Sequence, residues 1–184
     1  MEKISAKRKF CNHKFDKNFM DSLKTMESDI ISCEQIDMYY KRYIGSYGME
    51  LQKFIIEFID EIKEEIDITD SKTKICGIIY DNPRISDDDK CRFDVCISKD
   101  SLKKVDKFKN IYGEIEIQSG NYARFKYKGT GEEVGNGYAW IYGVWFPNSR
   151  YEPDDKLGHH IYKKFNGFGE EFECDIYIPI RKIK

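Results

Sequence analysis

Nowhere does the chain hold a run of about 18 apolar residues, so no membrane-spanning helix is expected. The opening "MEKISAKRKF" has no apolar stretch of the kind an export signal needs, and the expected location is cytoplasmic. Neither sign of charge dominates. Against 31 Lys and Arg stand 33 Asp and Glu, a net charge of −2, so nothing global draws the chain to nucleic acid or to an anionic membrane. Cysteine is scattered: residues 11, 33, 76, 91, 96 and 174, with no close CxxC pair. Without an export signal these read as reduced thiols. Cys76, Cys91 and Cys96 lie in apolar runs and behave as small buried hydrophobes. Cys11 and His13 have no second ligand pair, so neither a metal nor a cofactor is expected. Also missing are a Ser-His-Asp order and a phosphate loop, which leaves catalysis without a clear carrier.

What the chain does have is aromatic surplus: 15% Phe, Trp and Tyr, with 13 tyrosines. Flat rings with polar tips suit a pocket or an interface. The 184 residues suit one domain with an extension. Residues 1–30 read as that extension, basic through Lys3, Lys7, Arg8, Lys9, Lys14 and Lys17, with weak helical spacing at Phe15, Phe19 and Leu23. Residues 31–184 read as the domain.

Within it, "EQIDMYYKRYIG" reads as a strand. Leu51, Phe54, Ile55, Phe58, Ile59, Ile62 and Ile66 then repeat at three- and four-residue spacing and predict an amphipathic helix. "KICGIIYDNP" and "CRFDVCI" follow as strands, the first stopped at Asp81, Asn82 and Pro83. The order is β-α-β-β. "IYGEIEIQSG" carries an alternating Ile run, "NYARFKYKG" is a strand, and Thr130 and Glu133 sit at capping-box spacing. A second helix is expected through Val134, Tyr138, Ile141, Tyr142 and Trp145, weakened by Gly135, Gly137 and Gly143 and ended by Pro147. "HHIYKKF" and "EFECDIYIPI" close a second β-α-β-β unit. Superposing Gly45 on Gly129 places Tyr43 on Tyr127. The expected fold is therefore α+β: two repeats related by a pseudo-twofold, an antiparallel sheet with two helices on one face, and a ligand-sized groove between them.

The motifs "YKRYIGSYG", "GIIYDNP", "RFDVCI", "SGNYARFKYKG", "VWFPNSRYE", "HHIYKKF" and "CDIYIPI", in this order, resemble the GyrI-like small-molecule-binding domain. That domain occurs in DNA gyrase inhibitory proteins and as the effector-binding part of bacterial multidrug-responsive transcription regulators. The resemblance implies a bacterial multidrug- or effector-binding domain. Its ligand would be a small aromatic or amphipathic molecule. Residues 1–30 are too short for a helix-turn-helix unit, so the expectation is a stand-alone domain with no direct nucleic acid and no membrane partner. Alternatives are gyrase inhibition through a protein contact, with DNA gyrase or a transcription regulator as partner, and hydrolysis of cyclopropane-bearing compounds. Site residues implied by family position are Tyr43, Tyr47, Tyr80, Trp140, Trp145, His160, Tyr162 and Tyr177. Trp145 also reads as a core anchor. Relatives that bind cationic drugs carry a Glu in the strand reading "HHIY"; aligned on Tyr162, that position is His160. His159 is expected to be its exposed neighbour. Asp94 reads as a surface or strand-edge residue paired with Arg92 or a Lys, with a pocket carboxylate as the sharper alternative.

Overall fold

The computed structural model describes residues 25–67, 70, 72–83, 85–131, 133–165 and 170–183. The basic segment 1–24, with its helical spacing and the Cys11–His13 pair, lies outside them. Among the described residues, nine strands and two α-helices follow one another: β1 (Ser28–Cys33), β2 (Ile36–Ile44), α1 (Met49–Ile62), β3 (Ile75–Ile79), β4 (Arg92–Ser98), β5 (Gly113–Ile117), β6 (Gly120–Gly129), α2 (Val134–Trp140), β7 (Tyr151–Pro153), β8 (His159–Phe165) and β9 (Phe172–Lys182). The sheet runs β1-β6-β9-β8-β3-β4-β2-β5, antiparallel throughout, with β7 added beside β9.

This order displays the repeat. β3-β4-β2 of the first unit mirrors β8-β9-β6 of the second, and β3 and β8 meet at the centre, with Cys76 opposite Ile161 and Gly77 opposite His160. Each unit also has a leading strand, and the two are exchanged: β1 pairs with β6, and β5 pairs with β2. The exchange bends the sheet. In a flat sheet β1 and β2 would lie six strand spacings, about 29 Å, apart. Only Glu34 and Gln35 join them, a reach of about 11 Å. Gln118 and Ser119 make the matching link from β5 to β6. The sheet therefore curls into a half-barrel, and its inner face gathers side chains from strands across the full width: Met38, Ile78, Cys96, Ile117, Tyr122 and Tyr177.

The helices cover the other face. α1 lays Leu51, Ile55, Phe58 and Ile62 onto Phe93, Val95 and Ile97 of β4. α2 and the turns after it cover Phe125, Ile176 and Ile178 with Trp140, Ile141 and Phe146. α2 is short. Its entry uses half of the anticipated capping box: the Glu133 carboxylate accepts from the Thr130 N–H and hydroxyl at 3.1 and 3.3 Å. After Trp140 the coil loosens into a π-helical turn, Ile141–Trp145, and then tightens at Phe146–Asn148, where Pro147 sits.

The two tyrosine-and-glycine segments do matching work. The Tyr43 hydroxyl donates to the carbonyl of Ser46 at 3.1 Å, and the Tyr127 hydroxyl to that of Thr130 at 2.7 Å. Each ring folds back over the glycine two residues on. A Cβ there would meet the tyrosine oxygen at 2.7 Å in both copies. Gly45 also turns with φ +153°, a conformation other residues rarely adopt.

Among the described residues no helix is long and apolar enough to cross a membrane.

Candidate functional site

The N-terminal halves of the two helices stand over the β3–β8 seam and leave a groove between them. Tyr47, Met49, Gln52 and Ile55 form one wall, with Gly131 and Val134 opposite. Ile79, Phe93, His160 and Tyr162 form the floor, and Phe172 and Glu170 stand at the rim beyond Tyr162. Its cavity volume is about 90 Å³.

Gly77 is what lets aromatic rings cross this floor. A Cβ at Gly77 would meet Phe93 Cζ at 2.6 Å and the Tyr162 hydroxyl at 3.0 Å. A side chain in the middle of β3 would thus push both rings off the seam. Tyr162 stands edge-on to His160, centroids 6.4 Å apart, and to Phe172, 5.7 Å apart. Tyr47 leans on Phe93 at 6.3 Å and donates its hydroxyl to the Arg92 carbonyl at 2.5 Å.

The floor is electrically neutral. His160 is 2% exposed, and burial drives its pKa down to about 3, with neighbouring His159 adding to the fall. Its Nε2 lies 2.5 Å from the Tyr138 hydroxyl, which comes down from α2. Burial raises the Tyr138 and Tyr162 phenols far above their ordinary value, and raises Tyr47 to about 12. Both members of the Tyr138–His160 pair are therefore uncharged at neutral pH. Among the described residues Glu170 is the acid lining the groove, and it is exposed.

Of the eight residues singled out in the sequence, Tyr47, His160 and Tyr162 meet in this groove. Tyr43 packs against Phe54 on the flank of α1, centroids 5.4 Å apart. Trp140 is buried against Phe125 beneath α2. Trp145 is wedged edge-on between Phe125 and Phe146, both at 5.0 Å, stacks on Tyr151, and donates its Nε1–H to the Ser28 Oγ at 3.1 Å. It ties the helix end to β1. Tyr80 and Tyr177 belong to the inner face of the half-barrel.

Two expectations are corrected. His159 is not exposed: it is 1% accessible and stacks on Tyr177 at 4.8 Å with an interplanar angle of 4°. β8 is a central strand covered on both faces, so alternation along it does not separate inside from outside. Asp94 is neither at the surface nor in the groove. It is fully buried on the inner face, clasped by Arg42 through two bonds of 2.8 Å and by the Tyr80 hydroxyl at 2.8 Å. Arg42 in turn lies over the rings of Tyr40 and Tyr80, and the set reads as a structural ion pair.

Sequence reasoning missed Tyr138 and Gly77. Tyr138 heads a ladder with Tyr142 and Phe146 at four-residue spacing, stacked at 6.4 and 5.4 Å. That spacing is visible in the sequence, but it reads equally as core. Gly77 carried no signal beyond being a glycine inside an apolar strand. Among the described residues no group of three His, Cys, Asp or Glu is placed to hold a metal.

Residues 26–181 match the model of the GyrI-like small molecule binding domain. Among solved structures, the C-terminal domain of EcmrR aligns with a TM-score of 0.60 at 15% identity, over 87% of this chain and all of that one. EcmrR in its DNA complex aligns at 0.64 and 13% identity over 98% of this chain, which spans 65% of that protein's length. SAV2435 bound to tetraphenylphosphonium aligns at 0.55 and 15% identity, over 85% of this chain and 94% of that one. At such identities the likeness is one of fold. No curated protein matches the sequence.

Proposed function

The chain belongs to the GyrI-like family of small-molecule-binding domains, and from that premise we propose that it captures a flat, largely apolar small molecule between α1 and α2. The observation that carries this reading is the convergence of Tyr47, Phe93, Tyr162 and Phe172 on one groove over a glycine gap in the sheet. Aromatic walls recognise flat apolar ligands by stacking and by edge contact. SAV2435, of the same fold, binds a molecule built of four phenyl rings. The cavity of about 90 Å³ is smaller than the roughly 300–1,000 Å³ of a drug-sized site. Binding therefore parts the helices, and α2 is the element suited to move. It is seven residues long and continues into a π-helical turn.

Val134 is the position for a test, because it is half-buried on the groove wall and outside the fully buried core. Val134→Trp fills the groove. Calorimetric titration with a panel of planar aromatics is expected to show saturable binding to the unaltered chain and at least a tenfold loss in the variant. The melting temperature is expected to stay within a few degrees. Equal affinity in the two proteins would place the ligand elsewhere and end this reading.

A further inference from the structure

The Tyr138–His160 bond joins the walls of two cavities. One is the cavity just described, walled by His160, Tyr162 and Ile79. The other is a second cavity of about 130 Å³, walled by Tyr138, Tyr142, Ile178 and the same Ile79. The hydroxyl–imidazole bond of 2.5 Å links a wall residue of each. Resting on the binding reading above, we infer that this groove selects an uncharged ligand carrying a hydrogen-bonding oxygen or nitrogen, that this atom docks on the Tyr138–His160 pair, and that organic cations are disfavoured.

The groove is faced by Met49, Gln52 and Ile55 from α1, Val134 from α2, Ile79 and Phe93 from β3 and β4, and His160 and Tyr162 from β8. None of these carries a charge at neutral pH. The Glu170 carboxylate sits in water at the rim. At the mouth of the second cavity stand Asp154 and Lys156. Their charges lie 3.8 Å apart and offset one another, and the Lys156 ammonium also donates to the Ser119 carbonyl at 2.8 Å. Among the described residues, a cation entering the floor would shed its water and meet no countercharge nearer than the exposed Glu170 at the rim, a steep penalty in an apolar site.

A purely apolar ligand that pressed between Tyr138 and His160 would strand two buried polar groups, an outcome folded proteins avoid. An acceptor on the ligand takes the phenol O–H instead, and a donor serves the imidazole Nε2. An amide or alcohol on an aromatic frame can serve both groups; a ketone or phosphine oxide serves the phenol and leaves the imidazole Nε2 to a water or a second donor. A site built around buried hydrogen-bonding groups discriminates strongly against analogues that lack the matching atom.

Two probes of similar shape separate the outcomes: triphenylphosphine oxide, neutral with a strong acceptor, and tetraphenylphosphonium, a cation without one. The full chain is titrated with each by calorimetry, alongside Tyr138→Phe, His160→Gln, His160→Glu and Val134→Trp. The expected result is at least tenfold tighter binding of the oxide. A fivefold or greater loss is expected in Tyr138→Phe. His160→Gln, still neutral and polar, keeps the order of the two probes, and His160→Glu reverses it. Thermal melts of every variant separate lost binding from lost fold. The inference is overturned if the unaltered chain binds the phosphonium as tightly as the oxide while Val134→Trp abolishes both; the groove would then stand and its selectivity would not. Binding indifferent to Val134→Trp removes the groove reading and this inference with it; binding of neither probe while planar aromatics still bind overturns this inference alone.

Discussion

At the scale of single residues, the centre of the molecule is governed by what the seam excludes. Gly77 and His160 face one another across β3 and β8, and the space denied to a side chain at 77 is taken by the rings of Phe93 and Tyr162. The two adjacent histidines point to opposite faces, and both are buried. Burial holds His159 near a pKa of about 4 and His160 near about 3, both below the ordinary 6.5. A lowered histidine pKa means that the unfolded chain takes up protons before the folded one does. The stability these residues protect is fully present above about pH 6.5 and is lost as pH falls toward 4, by up to about 1.4 kcal/mol per pH unit for each. Most of that window lies above the ordinary carboxylate range, so it isolates the histidines. Melting curves between pH 7.5 and 5 are expected to fall steadily for the unaltered chain and to fall about half as steeply for His159→Gln, where His160 alone of the pair remains. A flat profile in the unaltered chain would mean that the histidines are solvated.

At the scale of elements, the second helix is the weak member and Trp145 is its fastening. Glycines at 135, 137 and 143 lower helical propensity, and the coil gives way to a π-helical turn after Trp140. The Trp145 ring is held by three aromatic neighbours and by Ser28. Trp145→Ala is expected to cost about 2–4 kcal/mol of stability in urea unfolding, as large-to-small changes in packed sites do. It should leave affinity within about threefold at a temperature where the variant is folded. A loss of binding with stability intact would put Trp145 at the ligand instead. Legibility also varied by element. α1 could be read from its spacing because one stripe is buried and the other wet. β1 could not: an edge strand with most side chains exposed has no buried face to impose alternation. β8 misled for the opposite reason, being covered on both faces. Tyr47, His160 and Tyr162 could be proposed from motif position, whereas Tyr138 joins them only because the fold lays α2 across β8.

At the scale of the whole molecule, the exchanged leading strands are the organising feature. Two links of two residues each force the sheet to curl. Curling sorts the tyrosines and histidines into two populations, with Tyr80, Tyr177 and His159 inside the half-barrel and Tyr47, Tyr162 and His160 under the helices. The repeat and the helices-on-one-face arrangement were legible, since glycine, tyrosine and helical spacing recur in both halves. The strand exchange was not, because local pattern says nothing about which distant strand a given strand will pair with. This sorting gives the central claim a direct test by nuclear magnetic resonance: amide shifts of the full chain followed during titration with triphenylphosphine oxide. The account predicts saturable shifts concentrated at Tyr47, Gln52, Val134, Tyr138 and His160, with the inner face at Tyr80 and Tyr177 unmoved. Shifts gathered at Tyr80 and Tyr177, with the residues of the groove silent, would contradict it.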